Sequence, residues 1–142
     1  MLNLIKKSAA ALAMMALLVP QLSRAQLTEI TNANAESILK QSKTLVLVLF
    51  YADFCGYCKQ LEAELVKRQP QLSGKLLLAK VDIVSNGIGL PAVPVLVLFD
   101  GGSAVDSVVG FNLEETDRLI ALATKRGTIP LRPSPNAKEA RK

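Results

Sequence analysis

Residues 44–59 read TLVLVLFYADFCGYCK. The first eight, TLVLVLFY, have the length and the β-branched, aromatic character of a buried strand. Residues 59–69 are good helix formers with neither Gly nor Pro among them. Cys55-Gly56-Tyr57-Cys58 therefore sits at a strand-to-helix junction, with the first sulfur near a helix N-terminus. Unpaired backbone N–H groups and the helix dipole favour a thiolate there. The second sulfur, three residues on, lies one turn away, within reach of a disulfide. Cys55 and Cys58 are the chain's only cysteines, and the chemistry this arrangement supports is thiol–disulfide exchange.

Working outward, residues 75–82 (KLLLAKVD) read as a second buried strand. It should run parallel to the first because a helix separates the two. The cysteine-bearing helix is expected to stop before Pro70, and Ser73-Gly74 marks the turn. Upstream, residues 26–31 suit a short strand. Asn32 or Asn34 suits the cap of a helix through residues 35–40. Downstream, Gly87, Gly89 and Pro91 make residues 84–93 mostly loop, with at most a short helical turn. Residues 95–99 form a third apolar strand. Asp100-Gly101-Gly102 signals a hairpin, and residues 103–109 return. Asn112 and Glu115 have the spacing of a capping box for a last helix ending near Gly127. The element order is βαβαβ followed by ββα, with parallel strands first and an antiparallel hairpin second. No internal repeat is visible.

Residues 1–25 carry the pattern of a secretory signal peptide. Lys6 and Lys7 precede an apolar core at residues 9–19, Pro20 breaks it, and Ser23-Arg24-Ala25 offers small residues for cleavage before Gln26. The alternative, an uncleaved anchor, has only that short apolar core against the roughly 20 residues a spanning helix needs. The expected organisation is a signal peptide at 1–25, one domain at 26–127, and a flexible, basic, proline-containing tail at 128–142. Export is the expectation that follows from that leader.

The formal charge of +5 falls to +2 without Lys6, Lys7 and Arg24. Arg132, Lys138, Arg141 and Lys142 scatter along the tail, so nucleic acid is not an expected partner. The chain has no histidine. That excludes Cys-His and Ser-His-Asp catalysis and any His-ligated metal. One CxxC is half of a four-thiolate zinc site, so zinc would require two chains, and no metal is expected. A purely structural disulfide is a weak alternative, because so short a loop removes little unfolded-state entropy.

These residues resemble the thioredoxin family. The resemblance is carried by YADFCGYCK (51–59), LAKVDI (78–83), Val93-Pro94 before a strand, DGG (100–102), Gly110 and the last helix, all in the family's order. It covers about residues 27–126. It implies an α/β thioredoxin fold: a mixed sheet of four to five strands flanked by helices, one family helix shortened before Pro94. It also implies roles. Cys55 is the exposed nucleophile and Cys58 the resolving thiol. Pro94 matches the family's cis-proline, a state that sequence alone makes a minority one. Lys80 matches a strand lysine behind the site. Phe54, Gly56, Tyr57, Val93 and Pro94 are the expected substrate contacts.

The chain also departs from the family pattern. The buried aspartate six residues before the first cysteine is Leu49 here. The tryptophan before that cysteine is Phe54. The helix proline five residues after the second cysteine is Ala63. Glu62 is expected to be exposed and without a role. Asp53, two residues before Cys55, opposes thiolate formation there. Gly56-Tyr57 is similar to the active site of periplasmic disulfide isomerases. Tyr-Ala-Asp before an aromatic and Cys is similar to the electron-passing periplasmic domain of a membrane disulfide reductase.

The resemblance implies an exported thiol–disulfide oxidoreductase, located in a bacterial periplasm and acting on cysteines of other exported proteins. It needs no bound cofactor beyond the Cys55–Cys58 pair, and a membrane redox partner would recycle it. Reduction or isomerisation is favoured over primary oxidation, because no histidine lies between the sulfurs; the loss of the buried aspartate pulls the other way. No dimerisation region is visible, and no oligomer is indicated. The competing reading is a binding or chaperone module of the same fold without redox turnover.

Overall fold

The computed structural model describes residues 26–125. The leader at 1–25, the tail at 128–142 and the expected helix end near Gly127 lie outside the described residues. The elements are β1 (Thr28–Glu29), α1 (Ala35–Gln41), β2 (Leu45–Tyr51), α2 (Gly56–Leu72), β3 (Leu76–Asp82), β4 (Val95–Asp100), β5 (Ser103–Val109) and α3 (Leu113–Lys125). The five strands form one mixed sheet in the order β1-β3-β2-β4-β5. β3 runs parallel to both β1 and β2, while β4 is antiparallel to β2 and to β5. This is the thioredoxin fold that the resemblance implied, and its parallel-then-antiparallel order is the one read from the elements.

β2 lies at the centre, and its residues divide by parity, as the two-residue period of a strand requires. Leu47 and Leu49 enter one core with Leu61 and Leu65 of α2 and Leu119 of α3. Val46 and Val48 enter a second core with Ile30, Ala79 and Val81, against Ile38 and Leu39 of α1. Burial on both faces is why β2 reads as an unbroken apolar run. The hairpin turn places Gly101 at φ +56° and Gly102 at φ +89°, a region open to glycine. A Cβ on Gly102 would also meet Lys40 Cγ at 2.8 Å.

Three local expectations need correction. α2 does not stop before Pro70 but carries it inside its last turn. The buried stripe Cys58, Leu61, Leu65, Leu72 explains this: Leu72 is 7% exposed in the core, and only a continued helix delivers it there. Asn34 occupies the N-cap position of α1 without capping it. Its Oδ1 accepts from the Thr31 N–H at 2.7 Å and its Nδ2 donates to the Glu29 carbonyl at 3.1 Å, pinning the preceding turn instead. At α3 the capping box is half made: the Glu115 N–H donates to Asn112 Oδ1 at 3.1 Å, but the Glu115 carboxylate turns to Arg118.

Between β3 and β4 the chain makes turns and no helix. Asp82 organises this stretch. Its carboxylate accepts from the Val84 N–H and the Ser85 hydroxyl, and its carbonyl from Asn86 Nδ2. Asn86 Oδ1 accepts in turn from the Asn32 N–H at 3.0 Å, tying the loop to the segment before α1.

Candidate active site

Sheet register decides what gathers around the cysteines. β2 ends at Tyr51, four residues before Cys55. Phe50 pairs with Val95, the residue after Pro94, and Val95 pairs with Val109, the residue before Gly110. Tyr51 pairs with Asp82. The cysteine turn, the Pro94 loop and the Gly110-Phe111 loop therefore share one end of the sheet.

Cys55 is the N-cap of α2, with extended backbone at φ −89° and ψ 106°. Its Sγ accepts from the Cys58 N–H at 3.1 Å, one of the orphan donors at the helix start. Cys55 and Cys58 are joined as a disulfide across a Cα–Cα distance of 5.2 Å. The two sulfurs are unequal. Cys58 is 1% exposed and belongs to the buried stripe of α2, whereas Cys55 is half-buried. Only Cys55 is reachable from solvent, and the helix terminus aims N–H groups at it. A thiolate formed there has both access and stabilisation.

The Val93–Pro94 peptide is cis, Pro94 is fully buried, and its carbonyl accepts from the Gly110 N–H at 2.8 Å. Val93 is half-buried and Gly56 exposed. Phe54 is 81% exposed and Tyr57 63%. The Tyr57 ring stacks on Phe111, with centroids 6.0 Å apart and planes at 29°. Phe111 was absent from the residues singled out by sequence. Its only signal is a position directly after Gly110, and the stack itself is a tertiary event.

Lys80 pairs with Leu49 in the sheet, so both side chains point to the α2 face. Leu49 is fully buried among leucines. The carboxylate that meets Lys80 comes from the helix instead: Glu62 Oε1 lies 2.7 Å from Lys80 Nζ. The expectation that Glu62 is exposed and idle is therefore corrected; it is half-buried and paired. The helical spacing Cys58, Leu61, Glu62, Leu65 places Glu62 at the margin of the buried stripe, and that signal was readable. Glu29 stands 3.7 Å from Lys80 and accepts a bond from the Tyr51 hydroxyl at 3.1 Å, while Lys80 lies 5.1 Å from the Tyr51 ring centre. Burial, then the Glu29 charge, pushes the Tyr51 hydroxyl well above its ordinary range. Burial pulls the Lys80 ammonium down, but the bond to Glu62 and the charges of Glu62 and Glu29 outweigh it, and the net shift is upward. Among the described residues, no group of three or more His, Cys, Asp or Glu side chains is placed to hold a metal ion.

Comparison with known proteins bears on this geometry. The thioredoxin family profile matches residues 26–125. The chain belongs to the thioredoxin family. It is 39% identical to thioredoxin from Chlamydia caviae over 83 residues, covering 55% of this chain and 78% of that one. It is 30% identical to a protein disulfide-isomerase A6 homolog from Caenorhabditis elegans over 107 residues, 71% of this chain but 24% of that one. The chain thus spans about a quarter of the length of that larger relative. Among solved structures, a thioredoxin variant from Halobacterium salinarum superposes with a TM-score of 0.61 at 28% identity, covering 76% of this chain and 97% of its own. Family membership makes the cysteine turn, rather than any other surface, the place to look for chemistry.

Proposed function

We propose that this protein is an exported thiol–disulfide oxidoreductase that exchanges disulfides with cysteines of other exported proteins through Cys55 and Cys58. The observation that carries this reading is the inequality of the two sulfurs: an accessible Cys55 capping α2 and a Cys58 buried one turn on. In the reductive direction the Cys55 thiolate attacks one sulfur of a substrate disulfide. A mixed disulfide forms and one substrate thiolate leaves, taking up a proton. Cys58, on losing its proton, attacks Cys55 Sγ and expels the second substrate thiolate. Two electrons pass to the substrate, and the protein is left with the Cys55–Cys58 disulfide. The two thiols carry those electrons, so no bound cofactor is required. A membrane dithiol partner would return the protein to its reduced state.

Phe54, Gly56, Tyr57, Val93 and Pro94 are assigned as the substrate-contacting surface around Cys55, with Lys80 in support behind it. The direction favoured is reduction or isomerisation, since Gly56 and Tyr57 place no charge between the sulfurs. Export rests on the Lys6-Lys7, apolar and Ser23-Arg24-Ala25 pattern, and the periplasm on the likeness of the Gly56-Tyr57 site to periplasmic oxidoreductases. The test uses two variants. Cys55→Ser is expected to abolish exchange, and Cys58→Ser to accumulate a mixed disulfide with substrate, seen as a reducible adduct on non-reducing gels. Normal turnover by Cys58→Ser would reverse the role assignment. Retention of cellular function by the double Cys→Ser variant would favour the binding-module alternative.

A further inference from the structure

We propose that Gln69 is the receptor for the N-terminus that cleavage before Gln26 creates, its side-chain oxygen accepting a hydrogen bond from the freed α-ammonium of Gln26. The inference rests on the export reading of the leader and adds the place where the processed end docks.

The fold takes hold of the chain directly after the expected cleavage point. Leu27 is 4% exposed and enters the core that holds Leu72, Leu76 and Leu78. Thr28 pairs with Ala79 and Glu29 with Lys80 in the parallel ladder. The same register carried back sets Gln26 beside Leu77. Leu77 and Leu78 line a cleft of about 190 Å3, shared with Thr44, Gln69, Ser73 and Leu76. At Gln26 the helix takes over from the sheet: Gln69 Nε2 donates to the Gln26 carbonyl at 3.0 Å. Gln26 itself is exposed, and only Cα separates its nitrogen from the carbonyl carbon that Gln69 holds.

That bond leaves the Gln69 amide half satisfied. It also fixes the amide's orientation, since only the nitrogen end can donate to a carbonyl. The oxygen end, Oε1, is buried. Among the described residues it is the one buried side-chain nitrogen or oxygen without a hydrogen-bond partner. A buried acceptor is seldom left so, because it forfeits the water it gave up on folding. In the uncut chain the Gln26 nitrogen has a single N–H whose direction the backbone sets, and it makes no bond to Oε1. Cleavage turns that nitrogen into an ammonium with three donors on a rotatable bond. One donor turns to Oε1. The others stay in water because Gln26 is exposed, so docking does not strip the charge of its hydration.

The test uses the processed protein recovered from the exported fraction, whose intact mass identifies the first residue. Acetylation at about pH 7, where protons shield the lysines, labels the α-amine, and peptide mapping follows its rate. The Gln26 amine of the unmodified protein is expected to react about tenfold more slowly than that of Gln69→Leu. Gln69→Glu makes the comparison specific. Neither Leu nor Glu can donate to the Gln26 carbonyl, but Glu keeps an acceptor for the ammonium. Its amine should therefore stay as slow as in the unmodified protein. Fast acetylation in both variants would mean that Gln69 only holds the carbonyl, and would overturn the inference. So would equal rates in all three proteins, or a Gln26 closed to pyroglutamate, lighter by one ammonia and with no ammonium left to dock. A mature chain that begins at another residue, or that keeps its leader, would sink the cleavage reading first and this inference with it.

Discussion

Lys80 shows at the scale of one residue how a lost group is replaced. The family's strand carboxylate is Leu49 here, and an ammonium beside a wholly buried leucine needs a counter-charge. Glu62 supplies it from the facing helix at 2.7 Å. Glu62→Gln leaves Lys80 with Glu29 at 3.7 Å as its remaining carboxylate. The expected loss is about 1–2 kcal/mol, discounted for the residual solvent contact of both side chains, and read by urea denaturation. Glu62→Gln as stable as the original would mean the pair contributes nothing net. The same cluster sets an alkaline limit. Tyr51 and Lys80 both hold their protons more tightly in the folded protein than at their ordinary values of 10.0 and 10.5. The stability they contribute is therefore fully present below pH 10 and lost as pH rises through their folded values. The urea midpoint should fall above pH 10, and Tyr51→Phe should blunt that fall. Cys55, Cys58 and Pro94 were readable from sequence because their signals are local in the chain. Glu62 reads from sequence as exposed and idle, and Phe111 gives no sequence signal beyond its place after Gly110, since the partner of each, Lys80 and Tyr57 respectively, lies far away in the chain.

At the scale of elements, periodicity located every strand and helix of the described residues, and the misreadings were at their ends. Pro70 is the clearest. Local propensity says a helix should end there, but the demand to bury Leu72 lies a turn further on and is tertiary. The helix therefore runs through a residue that lacks an N–H to bond the carbonyl four positions back. Pro70→Ala restores that donor at an exposed site. Removing an interior helix proline is worth up to about 3 kcal/mol, less in a last turn, and part is offset because proline also restricts the unfolded chain. A net stabilisation of about 1 kcal/mol is expected, seen as a higher midpoint in thermal denaturation; a fall would mean the ring makes a contact the helix needs. The β3–β4 connection makes the complementary point. Its glycines announced a loop, but what fixes the loop is Asp82. The Ser85 hydroxyl bond, ahead of an opposing burial effect, and the backbone N–H bonds hold that carboxyl below 3.8. The stability it contributes is present above the ordinary carboxylate range and is lost as pH falls through the folded value. Ser85→Ala should make the midpoint of acid unfolding occur at higher pH; an unmoved midpoint would show that the loop does not depend on this bond.

For the whole molecule, the direction of electron flow is a difference in stability between two forms of one fold. The gap in unfolding free energy between oxidised and reduced protein equals the gap in potential between the folded and unfolded cysteine pair, at about 1.4 kcal/mol for each 30 mV. A strong oxidant owes its high potential to a reduced form that is the more stable one, its thiolate held by nearby positive groups. In this chain Gly56 and Tyr57 contribute none, the chain has no histidine, and the thiolate at Cys55 has chiefly the α2 N-terminus to stabilise it. The lysine behind the site is already committed to Glu62. The reduced form therefore gains little stabilisation from its thiolate, and a potential nearer about −270 mV than −120 mV is expected. The oxidised protein is accordingly expected to resist urea better than the reduced protein, by about 1–3 kcal/mol on this scale. Equilibration of the pair against thiol buffers should independently return a potential below about −200 mV. If the reduced form proves the more stable and the potential lies above about −180 mV, the helix terminus alone stabilises the thiolate strongly, and the protein accepts electrons from its substrates rather than giving them.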